Sequence, residues 1–230
     1  RHGVGVDAVR EVDRDRMGLY FLATGALQRS SEVVYDRAGS AFANGTAAEH
    51  DWPTVLRDAQ WLHVSGVSPA LGVNVAECVL VAVRAARRGG VRVSFDGNYR
   101  PSLWQRWGGN AAAILRELFA EADIVFADHR DIELVLGLCF AQDTSIARTE
   151  AAAAAAFAAF PLLQYLACTH RELVSADHHV LGALLLGRDG TRAQAPSRPL
   201  PGIVDRIGGG DAFAAGILHG ILSGFDADAT

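Results

Sequence analysis

Asp205-Arg206-Ile207-Gly208-Gly209-Gly210-Asp211-Ala212-Phe213-Ala214-Ala215-Gly216 is a glycine turn that opens directly into a helix. Pro199, Pro201 and Gly202 precede it, and an uninterrupted apolar helical run, Ala212 to Leu222, follows. A glycine turn at a helix start leaves several backbone N–H groups unpaired and pointing the same way. With the positive end of the helix dipole they make an anion site. A carboxylate at the mouth of an anion site is out of place unless the anion is a phosphoryl group in transit. Asp211 would then take the proton of the attacking hydroxyl. The same stretch also reads as a plain helix start with Asp211 as N-cap.

Upstream, strands alternate with helices. Trp61 to Val64 is a short strand ending at Ser65-Gly66. A helix spans about Gly72 to Arg88 and is closed by Gly89-Gly90, and Val91 to Phe95 is the next strand. The pattern continues through helices at about 110–120, 128–136 and 147–159, and strands at about 123–127 and 163–169. This alternation predicts an α/β fold, a mostly parallel sheet with helices on both faces. A pair of strands around the turn Gly187-Arg188-Asp189-Gly190 follows. Earlier, Gly18 to Ala23 and Glu32 to Arg37 read as a hairpin joined through Gly25 to Ser31. His63, on a buried-type strand, is expected to be a hydrogen-bonded core residue.

In such sheets ligands bind beyond the carboxyl ends of the strands. Three loops there carry polar chemistry: Asp96 to Trp104 with Asn98 and Arg100, Ala127 to Asp131, and Thr169 to Glu172. Each also has a structural use. Asp, Gly, Asn and Pro make turns, and Asp128 can cap the helix that follows it.

Composition narrows the classes. The 230 residues are 50% hydrophobic and 20% charged, enough for one α/β domain with a sizeable core. A net charge of -5 gives no reason to expect nucleic acid or a membrane surface as partner. Three cysteines without metal-ligand spacing fit a reducing cytoplasm. All 21 Lys-plus-Arg positions are arginine. That excludes the P-loop and the protein-kinase fold, whose lysines meet the phosphates, and it excludes Schiff-base chemistry. A dinucleotide-binding reading fails as well. It needs glycine where Phe213 stands, and its glycines belong to the first βαβ unit.

The pattern Asp205-x-x-Gly208-x-Gly210-Asp211-Ala212-Phe213-x-x-Gly216 resembles the C-terminal signature of the ribokinase-like, or PfkB, carbohydrate kinases. The Arg206-Ile207-Gly208-Gly209-Gly210-Asp211 form, Gly18-Leu19-Tyr20-Phe21 and Asp96-x-Asn98-Tyr99-Arg100-Pro101 are similar to 2-keto-3-deoxygluconate kinases of that family. The resemblance implies ATP-dependent phosphorylation of that sugar acid, with Mg²⁺. Another sugar substrate and a non-catalytic relative are the alternatives.

By the same resemblance Asp211 is the base, and Gly208, Gly209 and Gly210 supply the anion hole. A lid hairpin at about 17–40 brings Tyr20, Tyr35 and Arg37 to the sugar acid. Asn98 and Arg100 lie between sugar and nucleotide, and Thr169 and Arg171 meet the nucleotide together with Gly208 and Gly210. Asp128 and Asp131 stand where the family carries Asn-x-x-Glu and would act on Mg²⁺ indirectly. The strand end at Thr169 lacks the family's Lys-x-Gly-x-x-Gly. The partners implied are a sugar acid and ATP, with a homo-oligomer allowed. Residues 1–230 read as one kinase domain. Members of the family run longer at both ends, so the chain is expected to lack a first strand and closing helices.

Overall fold

The computed structural model describes residues 3–25, 29 and 32–227. β1 (Leu19–Ala23) and β2 (Glu32–Asp36) form a separate antiparallel pair in which Tyr20 faces Tyr35. Most of the expected connecting turn, residues 26–28, 30 and 31, lies outside the described residues. Two short helices, α1 (Ala41–Asn44) and α2 (Trp52–Val55), lead to the main body. The body then runs β3 (Trp61–Ser65), α3 (Val73–Arg88), β4 (Arg92–Asp96), α4 (Pro101–Trp107), α5 (Ala111–Ala120), β5 (Ile124–Phe126), α6 (His129–Leu136), α7 (Ser145–Ala159), β6 (Tyr165–Leu173), β7 (His178–Gly187), β8 (Arg192–Pro201) and α8 (Gly209–Ser223).

The six strands β3 to β8 lie side by side in chain order. β3 to β6 are parallel, and β7 and β8 add an antiparallel edge. β8 carries Pro196, Pro199 and Pro201, which an edge strand tolerates because one side needs no N–H donors.

Side-chain alternation splits the core into two layers. Val125, Leu166, Leu184 and Leu186 face the larger layer, with α3, α5 and α7. Ile124, Phe126, Ala167 and Leu185 face the other side, where Ala214 and Ile217 of α8 cover them. α3 shows why the larger layer closes: Val75, Val79, Ala82, Val83 and Ala86 recur at helical spacing and are buried. α8 is thus fixed to the sheet by the apolar residues that follow Asp211. Its first turn projects at the carboxyl end of the parallel strands.

Two expectations change. The loop after β4 contains a helix, α4, with Pro101 at its first position, where a missing N–H costs nothing. His63 is exposed rather than in the core. Its Nδ1 does make a hydrogen bond, to Ser94 Oγ at 2.9 Å, and its ring meets Phe126 edge-on at 6.0 Å. β3 is the edge strand of the sheet.

Candidate active site

The glycine turn is built by backbone conformation. Gly208 is the N-cap of α8 with φ +78°, a left-handed setting that favours glycine. Gly209 N donates to the Arg206 carbonyl at 3.3 Å and Ala212 N to the Gly208 carbonyl at 2.8 Å. Among the described residues, the amides of Gly210 and Asp211 have no carbonyl partner. Asp211 sits in the first helical turn, not at the cap. The N-cap alternative for Asp211 therefore falls; the helix starts without it.

Across the strand ends, backbone packs against backbone. Gly66 N donates to the Asp96 carbonyl at 2.7 Å and Gly97 N to the Phe126 carbonyl at 2.9 Å. A Cβ on Gly66 would lie 2.0 Å from the Gly97 oxygen, and one on Gly97 would lie 3.1 Å from Asp131 Cγ. Asn98, at φ +38°, turns its amide to donate to Ser65 Oγ at 3.0 Å. Arg100 precedes α4 and donates to the Tyr99 carbonyl at 3.2 Å.

Asp128 and Asp131 form a capping box on α6. Arg130 N donates to Asp128 Oδ1 at 2.8 Å, and Asp128 N to Asp131 Oδ2 at 3.0 Å. Asp128 also pairs with the Arg130 guanidinium at 2.5 Å. Both acids hold the helix start, and that role leaves oxygen lone pairs for a water or cation.

These strand ends border a cleft of about 880 Å³. Of the residues singled out from sequence, Asp128, Asp131, Thr169, Arg171 and Gly210 line it. Asp211, Gly208 and Gly209 adjoin Gly210 at its edge without lining it. Tyr20, Tyr35 and Arg37 stay together on the hairpin, outside the cleft. The Tyr rings are 6.5 Å apart, and Arg37 stacks over Tyr35 at 4.7 Å. Asn98 and Arg100 also fall outside its walls. The sequence reading gave no role to Asp96 or Arg148, and both line the cleft. Asp96 had a signal: it ends a buried strand beside a glycine, at the carboxyl end of the sheet.

The acids perturb one another. Burial, then the neighbouring charge of Asp211, pushes the Asp96 carboxyl up to about 6. Burial, with added repulsion from Asp128 and Asp96, pushes Asp131 up to about 7. In Asp128 the bonds to Arg130 outweigh burial and hold its carboxyl below the usual range. Among the described residues, no three His, Cys, Asp or Glu side chains form a metal cage. The carboxylates that line the cleft, Asp96, Asp128 and Asp131, are hard oxygen donors of the kind Mg²⁺ takes directly or through water.

The raised carboxyls carry a stability consequence. In the unfolded chain they titrate near 3.8, so between about pH 4 and 7 the folded state holds protons the unfolded state has lost. Stability is then full below that window and falls as pH rises through it. Asp131→Asn keeps an oxygen acceptor for the Asp128 N–H and removes the buried charge. We expect the wild-type unfolding free energy to fall across this window more steeply than the variant's, by up to about 4 kcal/mol. Parallel curves would contradict a buried, titrating Asp131.

The chain belongs to the pfkB family of carbohydrate kinases, whose model matches residues 1–229. It is 29% identical over 225 residues to a 2-dehydro-3-deoxygluconokinase of Bacillus subtilis, covering 97% of this chain and 63% of that protein. It is 35% identical over 139 residues to a 2-dehydro-3-deoxygalactonokinase of Haloferax volcanii, covering 60% and 42%. The crystal structure of 2-dehydro-3-deoxygluconokinase from Thermotoga maritima superposes with a TM-score of 0.83 at 33% identity, over 93% of this chain and 63% of that one. The chain thus spans less than two thirds of the length of each of these relatives.

Proposed function

We propose that this chain forms one carbohydrate-kinase domain that transfers the γ-phosphoryl group of ATP to the terminal hydroxyl of 2-keto-3-deoxygluconate, giving the 6-phosphate. The observation that carries the reading is the turn at α8: unpartnered amides at Gly210 and Asp211, a carboxylate beside them, and a polar cleft in front. Asp211 accepts the proton as the hydroxyl oxygen attacks phosphorus, and the bond to the leaving diphosphate breaks. The unpartnered amides of Gly210 and Asp211, in the turn set by Gly208 and Gly209, stabilise the charge on the transferring group. Asp128 and Asp131, with Asp96, would hold Mg²⁺ through water, and the ion would neutralise phosphate charge. Thr169, Arg171 and Asn98 serve the nucleotide. Free cysteines at 78, 139 and 168 suit a cytoplasmic setting.

Tyr20, Tyr35, Arg37 and Arg100 hold the sugar acid in this reading. Arg37 has its planar guanidinium stacked on Tyr35, so its fork is oriented before a carboxylate arrives. Arg37→Lys keeps the charge and loses the two-pronged contact. It is expected to raise KM for the sugar acid about tenfold or more while leaving KM for ATP within about twofold. Unchanged affinity for the acid would remove the hairpin from the substrate site. Identity to the galacto enzyme makes the galacto epimer the natural second substrate to assay.

A further inference from the structure

With no lysine in the chain, any cationic side chain that meets a phosphate is arginine or histidine. Several arginines are already engaged. Arg130 pairs with Asp128, Arg192 with Glu150, and Arg188 donates to three carbonyls. Arg171 and Arg206 differ. Among the described residues neither guanidinium has a hydrogen bond or an ion pair; Arg148, which also lines the cleft, has none either, but its Nε is buried.

Both belong to one locus. Arg171 lies on β6 and lines the cleft. Arg206 lies in the turn into α8, where its own carbonyl receives the Gly209 amide. Ile203 N, donating to the Asp177 carbonyl at 2.8 Å, ties the loop that carries Arg206 to the β6–β7 turn. His179, on β7, is 2% exposed, and its Nε2 has no partner among the described residues. Burial first, then the charges of Arg171, Arg206 and His178, hold that imidazole toward its neutral form. The buried His179 thus lies within reach of the charges of both Arg171 and Arg206, and Arg206 leads in sequence into the unpartnered amides of Gly210 and Asp211. The cleft that Arg171 lines also carries Asp96, Asp128 and Asp131. A neutral ligand would compensate neither the arginines nor the acids. A polyphosphate chain carrying a divalent cation satisfies both, anion toward the arginines and cation toward the carboxylates.

We propose that Arg206, working with Arg171, grips the polyphosphate chain of the nucleotide and takes the part a lysine plays in other phosphate sites. The assignment rests on the kinase reading and adds to it a residue at which the chain departs from the family's usual Thr or Pro. Charge-assisted hydrogen bonds of this kind change affinity about 10- to 100-fold.

The test is calorimetric titration of wild type, Arg206→Ala and Arg206→Lys with ADP and with inorganic tripolyphosphate, beside steady-state KM for ATP and for 2-keto-3-deoxygluconate. Gly208, not Arg206, caps α8, so circular dichroism should show an intact fold. The expected result is a 10- to 100-fold loss for both phosphate probes in Arg206→Ala, partial recovery in Arg206→Lys, and a sugar-acid KM within about twofold of wild type. Wild-type turnover with unchanged ATP affinity in Arg206→Ala would overturn the arginine assignment and leave the kinase reading standing. A rise confined to the sugar-acid KM would do the same and move Arg206 to the acceptor side. A wild-type protein that binds neither probe would overturn both.

Discussion

Asp211→Asn is expected to lower turnover about 10²–10⁴-fold while leaving the affinities for ATP and sugar acid nearly intact. The structure separates this outcome from a folding effect. Gly208 caps α8, and Ala214 and Ile217 hold it on the sheet, so no packing depends on the Asp211 carboxylate. Losing a first-turn acid costs the helix only about 0.3–1 kcal/mol through its dipole. Asparagine keeps the shape and removes the proton acceptor. Single-turnover kinetics at saturating substrates, with a thermal melt on the same sample, measure both sides. Turnover within a few-fold of wild type would leave Asp211 a dipole-stabilising residue and nothing more.

The second large effect falls on Gly66, which takes no part in the chemistry. A methyl group there would meet the Gly97 carbonyl oxygen, which is backbone and cannot rotate away. Gly97 in turn packs on Asp131, so the end of β4 that carries Asp96 and the start of α6 that carries Asp131 must spread. Gly66→Ala is expected to destabilise the fold by about 1–3 kcal/mol or more and to lower activity with it. Gly216→Ala is the matched control: Gly216 lies within α8 with open space around it, so alanine there should be neutral or slightly stabilising. Urea midpoints compare the two, and equal midpoints would contradict the close approach of β3 and β4.

Much of this organisation was legible in the residues. The period of β3, α3 and β4, and the turn at Gly187 to Gly190, placed the sheet and its antiparallel edge. The glycines before Ala212 placed the turn that opens α8. What escaped depends on distance in sequence. Nothing local to Gly66 says that it touches Gly97, and nothing local to Asp96 says that Asp211 shapes its acidity or that its own charge acts on Asp131. Both follow from parallel strands ending at one level. α4 escaped because Pro101 marks a helix start as well as it marks a turn. His63 was misplaced because a strand's apolar neighbours do not reveal that it lies at the edge of a sheet. Arg206 was visible as a departure from a motif, but its unpaired state and the buried His179 behind it required the fold.

The most direct test of the central claim is ADP release by the protein with ATP and Mg²⁺ across a panel of acceptors: 2-keto-3-deoxygluconate, its galacto epimer, fructose and ribose. Arg37 and Arg100 need an anion, and a neutral sugar in a closed pocket would leave them unpaired at a cost. A kcat/KM higher for the sugar acids than for fructose or ribose is the predicted result. A higher value for either neutral sugar, or no ADP release with any acceptor, would contradict the account.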